Sequence, residues 1–176
     1  ALKAMRATGR IKLLGIAAAY LVRLDAAEGP RTRVVPLWFQ IGAHATGLVL
    51  AVTILFGVLT TGSGPHSGDA NVIRQGFDAT ILAHVHAWPG YVLAALVLAL
   101  TVSAWVLRLQ PRRWLLVLAL AIAVQVTVGV WQAREGLPEL LVGIHMVLAS
   151  LSAAAYTVVV LHLKRPAASG ASSADA

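Results

Sequence analysis

Apolar residues dominate four long stretches of the chain, and each stretch is long enough to cross a lipid bilayer. A membrane-spanning helix needs roughly 20 such residues at a rise of about 1.5 Å each. No Lys, Arg or Asp interrupts any of the four, which run from about Ile41 to Thr61, Ala83 to Leu107, Trp114 to Gln132 and Glu139 to Leu163. The pattern predicts an all-α membrane protein, built as a four-transmembrane-helix bundle.

The segments on either side of the bundle differ from it in composition. Residues 1–33 are rich in Lys and Arg and contain one shorter apolar run, Leu13 to Val22. That run fits either the end of a preceding span or a turn at the membrane interface. We therefore divide the chain into a basic segment (1–33), a four-helix bundle (34–165) and a small polar tail (166–176) that we expect to be disordered. The first residue is Ala rather than Met, and we expect the chain to be a segment of a longer protein.

Basic residues predict the orientation of the bundle. Twelve of the 14 Lys and Arg residues precede the first span, lie between the second and third, or follow the fourth; Arg74 and Arg134 are the exceptions. The positive-inside rule then places both termini in the cytoplasm and the two remaining loops outside. We expect a multi-pass membrane protein.

Composition narrows the class of protein further. Only 12% of residues are charged, against about a quarter in soluble domains, so membrane lipid is the expected surrounding. The net charge of +7 follows from the flanking basic residues, and we expect no nucleic-acid partner. Because cysteine is absent, disulfides, thiolate zinc sites, iron–sulfur clusters and covalently attached c-type heme are excluded.

The chain also repeats itself weakly. Gly57 ends the first span with Gly64-Pro65 beyond it, and Gly129 ends the third with Gly136 and Pro138 beyond it. In each copy the next helix carries a histidine in its first turns. The repeat favours two helical hairpins related by a pseudo-twofold axis.

Depth in the membrane sorts the six histidines. His86 and His145 lie near the outer ends of the second and fourth spans, at depths that differ by only about 5 Å. Two histidines on different helices at one level are what a bis-histidine heme site in a bundle requires. Below them on the same faces are small residues that would leave a slot for the flat ring: Gly90, Ala94, Ala149 and Ala153. Small-residue helix packing gives the same stripe, so spacing alone leaves both interpretations open.

Three further residues are candidates near this level. Gln125, in the middle of the third span, could hydrogen-bond the free ring nitrogen of an axial histidine or simply another helix. Arg74 in the first outer loop is a candidate partner for a heme propionate, and so is Arg134. Pro89 either bends its helix at the site or is an ordinary first-turn proline.

The combined pattern resembles one known family. The run GVLTTGSGPHSGD followed by VHA, together with QVTVGVWQAREGLPELLVGIH, is similar to the C-terminal half of heme A synthase, in its actinobacterial form. The match covers about residues 34–163. That family has eight membrane helices in two similar halves and oxidises a methyl group of heme O to the formyl group of heme A, for cytochrome c oxidase.

The resemblance implies a cofactor and partners for this chain. It implies heme b, with iron held by His86 and His145; His84 is the alternative if the register is shifted. It also implies an N-terminal half as partner, heme O and heme A as substrate and product, and association with heme O synthase and with further copies of the chain.

The chain departs from the catalytic half of that family. There a glutamate stands one turn before the first histidine, whereas the matching residue here is Ala83 and the nearest upstream carboxylate is Asp78. We therefore expect an oxidoreductase half that holds heme without catalysing the oxidation by itself. A stand-alone bis-histidine cytochrome and a membrane scaffold without heme are the alternatives.

Overall fold

The fold is an α-helical bundle with one small sheet. The computed structural model describes residues 2–23, 30–63 and 79–166. Its elements, in chain order, are α1 (Leu2–Arg23), β1 (Arg31–Arg33), α2 (Leu37–Ser63), α3 (Ala79–Val106), α4 (Arg112–Arg134), α5 (Glu139–Leu161) and β2 (Lys164–Pro166). Helices α2 to α5 are each long and apolar enough to cross a membrane. The predicted four-helix membrane bundle is therefore confirmed.

Hydroxyl side chains inside these helices are satisfied by the helices themselves. Thr46, Thr53 and Thr61, for example, donate to the carbonyl oxygen four residues earlier, over 2.8 to 2.9 Å. Such bonds hide a polar group where no water is available. The threonines therefore do not interrupt the spans.

Proline and left-handed residues mark the remaining irregularities. Because α3 begins at Ala79, Pro89 lies in the helix interior, and its interpretation as a first-turn proline is wrong. Its ring removes a backbone donor just beyond His86. The turn from α4 to α5 uses Gly136 and Leu137, with φ angles of 72° and 65°, before Pro138 precedes α5.

The helices pack as two hairpins, α2–α3 and α4–α5, joined through α3–α4 and α2–α5 contacts. The apolar run Leu13 to Val22 belongs to α1, which packs along α5, where Gly15 approaches Thr157. In the structure this run is thus part of a 22-residue helix rather than a turn.

The two hairpins use equivalent positions to build the core. Residues 72 apart in α2 and α4 correspond, as do residues 59 apart in α3 and α5. The corresponding buried pairs, in which Pro111 and Leu163 flank α4 and α5, are Phe39/Pro111, Ala43/Leu115, Thr46/Leu118, Leu50/Ile122, Leu93/Ser152, Leu100/Val159 and Ala104/Leu163. This recurrence supports the pseudo-twofold relation between the hairpins that the glycine spacing predicts.

One end of the bundle, called here the basic end, carries Arg31, Arg33, Arg108, Arg112, Arg113, Lys164 and Arg165; the other is the histidine end. At the basic end β1 pairs antiparallel with β2, and Val34 N–H donates to the Leu163 carbonyl over 3.0 Å. The short α3–α4 connection is at the same end. The predicted bundle thus closes on itself through a two-stranded sheet that the sequence pattern did not predict. The tail beyond residue 166 lies outside the described residues.

Candidate functional site

Two imidazole rings face each other between the hairpins. His86 lies seven residues after the start of α3, and His145 lies six residues after the start of α5, so they share one depth. Their ring centroids are 6.2 Å apart with an interplanar angle of 83°. The structure thus brings together the pair that the sequence places at a common level.

A glycine on the neighbouring helix makes room for each ring. A Cβ atom built on Gly57 would lie 2.9 Å from Cε1 of His86, and one on Gly129 would lie 2.9 Å from Cε1 of His145. The distances to Nδ1 are 3.4 Å in both cases. These glycines therefore hold the two rings in the same pose, and any larger residue would displace a ring.

The His86 ring is fixed by the main chain of α2. Its Nδ1 lies 3.0 Å from the carbonyl oxygen of Thr53. A carbonyl can only accept, so Nδ1 carries the proton and donates it. Nε2 is then unprotonated, with its lone pair free for a metal ion or a hydrogen-bond donor.

The His145 ring has the matching pose but a different partner. Its Nδ1 makes no hydrogen bond. The Gln125 side-chain amide, Nε2, lies 3.2 Å from Nε2 of His145. An amide N–H there donates to the ring lone pair, which again leaves the proton on Nδ1. Gln125 is therefore bonded to the nitrogen that corresponds to the free nitrogen of His86.

This arrangement leaves polar atoms buried without partners. They are Nδ1 of His145 and Oε1 of Gln125. Each such atom costs about 1–3 kcal/mol when it is left unsatisfied. The second half of the site is therefore less well satisfied than the first, which is typical of a place where a further group binds.

The other histidines among the described residues are not part of the pair. His84 is exposed on α3, and His44 is exposed on α2. His162 lies at the basic end, where its ring packs 5.7 Å from that of Trp114. His66, Arg74 and Asp78 lie outside the described residues.

One further polar residue on α4 was not predicted as a candidate from the sequence. Gln132 follows Gln125 by seven residues, which is two helical turns and hence the same face of α4. Its Oε1 is also buried without a partner. The signal was present in the sequence as a second glutamine at that spacing in an apolar helix.

The small residues below the rings include one that serves helix packing. At Gly90 an added Cβ would meet Cγ2 of Thr53 at 3.9 Å, which is ordinary contact distance. Gly90 thus lies against α2. This contact favours the packing interpretation for Gly90, while the glycines that adjoin the rings are Gly57 and Gly129.

The donor set of the site fits heme iron. Metal–imidazole bonds of about 2 Å place the centroids of two rings bound on opposite sides of a metal about 6 Å apart, since each centroid lies about 1 Å behind its nitrogen. The observed centroid distance of 6.2 Å would agree with that spacing once Gln125 releases Nε2 of His145 and the Nε2 atoms of both rings face the metal. In the described part of the chain, no cluster of three or more His, Asp or Glu residues could hold a metal ion by itself. An iron that a porphyrin already binds needs only the two imidazoles.

Comparison with known proteins adds no identification. The chain matches no family model, no curated protein sequence and no solved structure. The resemblance to heme A synthase thus stays a prediction from the motifs, and the function must be argued from the geometry of the site.

Proposed function

We propose that this chain holds a heme b between His86 and His145 and acts as the cofactor-binding half of a heme A synthase. The observation that carries the proposal is the pair itself: two imidazoles from separate hairpins, with ring centroids 6.2 Å apart. The same glycine contact orients each ring. A scaffold that needed histidines only for hydrogen bonding would not need this matched geometry.

Each residue at the site has a defined task in this proposal. The Thr53 carbonyl holds the proton on Nδ1 of His86 and so leaves Nε2 with a free lone pair. Gln125 occupies Nε2 of His145 and must move aside before that nitrogen can bind iron. A bound heme would supply one-electron redox chemistry.

The proposal assigns no oxidation step to this chain alone. Glu135 and Glu139 are the only carboxylates among the described residues, and both are exposed at the turn between α4 and α5. His86 and His145 thus have no acid or base beside them in the described part of the chain. We propose that heme O is oxidised in a second, preceding half, and that this half passes electrons.

The membrane placement is part of the proposal. We propose a bacterial plasma membrane with the basic end in the cytoplasm, in accordance with the positive-inside rule. The histidine pair then lies near the outer surface. Heme O synthase and further copies of the chain are the proposed partners in the membrane.

A difference spectrum tests heme binding. The chain, expressed in membranes with a heme supply, is expected to give a reduced-minus-oxidised spectrum of a low-spin b-type heme. His86→Ala and His145→Ala should each abolish that low-spin signal, because each removes one of the two ligands. His44→Ala is the matched control, since this histidine is exposed and distant from the pair, and it should leave the spectrum unchanged. A full signal in the double variant would refute the site.

A product assay tests the enzymatic part of the proposal. In a host that makes heme O but no heme A, the chain alone should yield no heme A in extracted pigments. The chain joined to the residues that precede it in the gene should yield heme A, and His86→Ala should lower that yield. A b-type spectrum without heme A from the longer protein would instead identify an electron-transfer cytochrome.

A further inference from the structure

A polar groove lies at the basic end, on the opposite side of the bundle from the histidines. Its volume is about 440 Å³, and it is lined by Thr32, Arg33, Val34, Arg108, Gln110 and Arg165. This volume is within the usual range of small-ligand pockets, roughly 300–1,000 Å³. Three different parts of the chain meet here: β1, the α3–α4 connection and β2.

Arginine dominates the chemistry of the groove. Arg33, Arg108 and Arg165 come from the three segments and line one space. The two carboxylates of the described residues, Glu135 and Glu139, lie at the histidine end, so neither neutralises these guanidinium groups. Three like charges around one groove repel each other, and an anion between them would remove that repulsion.

The backbone at Arg108 is unusual. This residue has a φ angle of 51°, a left-handed conformation that a side chain with a Cβ adopts at a cost. Asn or Gly would be the ordinary residue at such a position. Arginine there puts a guanidinium group on the rim of the groove, where the sheet contributes the other two.

Tryptophans locate the groove relative to the membrane. Trp38, Trp105 and Trp114 lie within two turns of the basic ends of α2, α3 and α4, and all three are exposed. Exposed tryptophans of membrane proteins concentrate at the depth of the lipid headgroups. Because Arg108 follows Trp105 by only three residues, the groove opens at headgroup depth.

We propose that this groove binds the phosphate of an anionic phospholipid headgroup. Arginine forms paired hydrogen bonds to phosphate oxygens, and Thr32 and Gln110 can donate to the glycerol or the remaining oxygens. The acyl chains would lie along the apolar surface beside the groove, where Val106 and Leu107 are exposed. A soluble phosphate shares the headgroup chemistry but not this apolar contact.

Native mass spectrometry of the purified chain in neutral detergent tests the proposal. Phosphatidylglycerol is the probe, with phosphatidylcholine as the neutral comparison. One phosphatidylglycerol should be retained per chain, and phosphatidylcholine should not. Inorganic phosphate at millimolar concentration should not displace the lipid; displacement would overturn the assignment to a lipid.

A charge-matched pair of variants separates the groove from general attraction. Arg33→Gln with Arg165→Gln removes two groove charges, and we expect at least about tenfold weaker retention, since each charge-assisted bond contributes about a factor of ten. Arg113→Gln with Lys164→Gln removes two charges at the same end but outside the groove lining, and should change retention little. Equal losses in both variants would show nonspecific attraction and overturn the site.

Arg108 gives a test that a folding defect cannot imitate. Arg108→Gly relieves the left-handed strain, so the protein should unfold no earlier than wild type while its lipid retention falls. Arg108→Lys keeps the charge but loses the paired geometry, and should give an intermediate loss. Wild-type retention in Arg108→Gly would contradict the proposed role of the groove.

Discussion

The two hairpins place their histidines alike but satisfy them differently. In both, a glycine of the outgoing helix lies against Cε1 of the ring on the return helix. In the α2–α3 hairpin a backbone carbonyl holds His86, whereas in the α4–α5 hairpin a side chain, Gln125, occupies His145. Thr53 and Gln125 are equivalent positions, 72 residues apart. The difference teaches that the ring pose comes from the repeated backbone, while the state of the second ring depends on one replaceable residue.

The largest expected loss of stability is at Gly47 and Tyr156, a pair whose side-chain sizes differ from those of the equivalent pair in the repeat. Tyr156 packs so closely over Gly47 that a Cβ there would overlap its phenol ring. The equivalent residues of the other pair of helices are Val97, in the core cluster, and Ala119, which packs against that cluster. Gly47→Ala should lower the free energy of unfolding by about 3 kcal/mol, at the upper end of the usual cost of overpacking. Unfolding titrations in mixed detergent micelles measure this.

A compensating change tests whether the equivalence is real. Gly47→Ala combined with Tyr156→Val copies the Ala119 and Val97 arrangement, and should recover most of the loss. If the two changes simply add, the repeat does not extend to these positions.

The two ring glycines should respond equally. Gly57→Ala and Gly129→Ala each place a methyl group 2.9 Å from Cε1 of a ring, and each should cost about 1–3 kcal/mol of stability by overpacking. Both should also reduce the heme content. Gly143→Ala is the control, because nothing lies within 4 Å of its added Cβ; it should be neutral or stabilising by up to about 1 kcal/mol. Unequal effects at the two ring glycines would show that the two hairpins do not hold their rings in equivalent ways.

The pair Thr53 and Gln125 should respond unequally. Gln125→Leu removes the donor to His145 and should cost the heme-free protein about 1 kcal/mol. Thr53→Val leaves the carbonyl that holds His86 and removes only the hydroxyl bond to the Val49 carbonyl. We expect its effect to be less than half as large. Heme content should persist in both variants, since neither removes a ligand, and loss of heme in Gln125→Leu would make Gln125 a necessary partner of the bound state.

The smallest expected effect concerns a contact between the hairpins. The Tyr156 hydroxyl donates to the Ala43 carbonyl over 3.1 Å. Tyr156→Phe keeps the ring and should cost about 0.5–1.5 kcal/mol. A loss as large as that of Gly47→Ala would mean that the hydroxyl, and not the packing of the ring, dominates this contact.

The spans could be predicted from the sequence because each depends only on a long, continuous run of apolar residues. Each of the four helices overlaps its predicted stretch and differs by a few residues at an end, where interfacial residues such as Leu37 continue the helix beyond the most apolar run. The common depth of His86 and His145 followed from counting residues along helices. Both results need only helical rise and hydropathy.

The sequence could not predict features that depend on contacts between distant segments. The pairing of Arg31–Arg33 with Lys164–Pro166 joins two short polar stretches that carry no strand pattern. The nitrogen of His145 that Gln125 engages depends on side-chain rotation. The arginine groove exists only because the sheet and the α3–α4 connection meet, and no run of sequence brings those residues together.

The antiparallel pairing of β1 with β2 has a mechanical consequence for the opposite end of the bundle. The hairpins are joined at the basic end twice, by the α3–α4 connection and by this two-stranded sheet. At the histidine end, the described part of the chain has only the turn between α4 and α5, which lies within one hairpin. The two hairpins are therefore held together at the basic end and can separate more easily at the histidine end. A flat molecule could therefore enter between His86 and His145 if the hairpins separated at that end, while the packing at the basic end stayed in place.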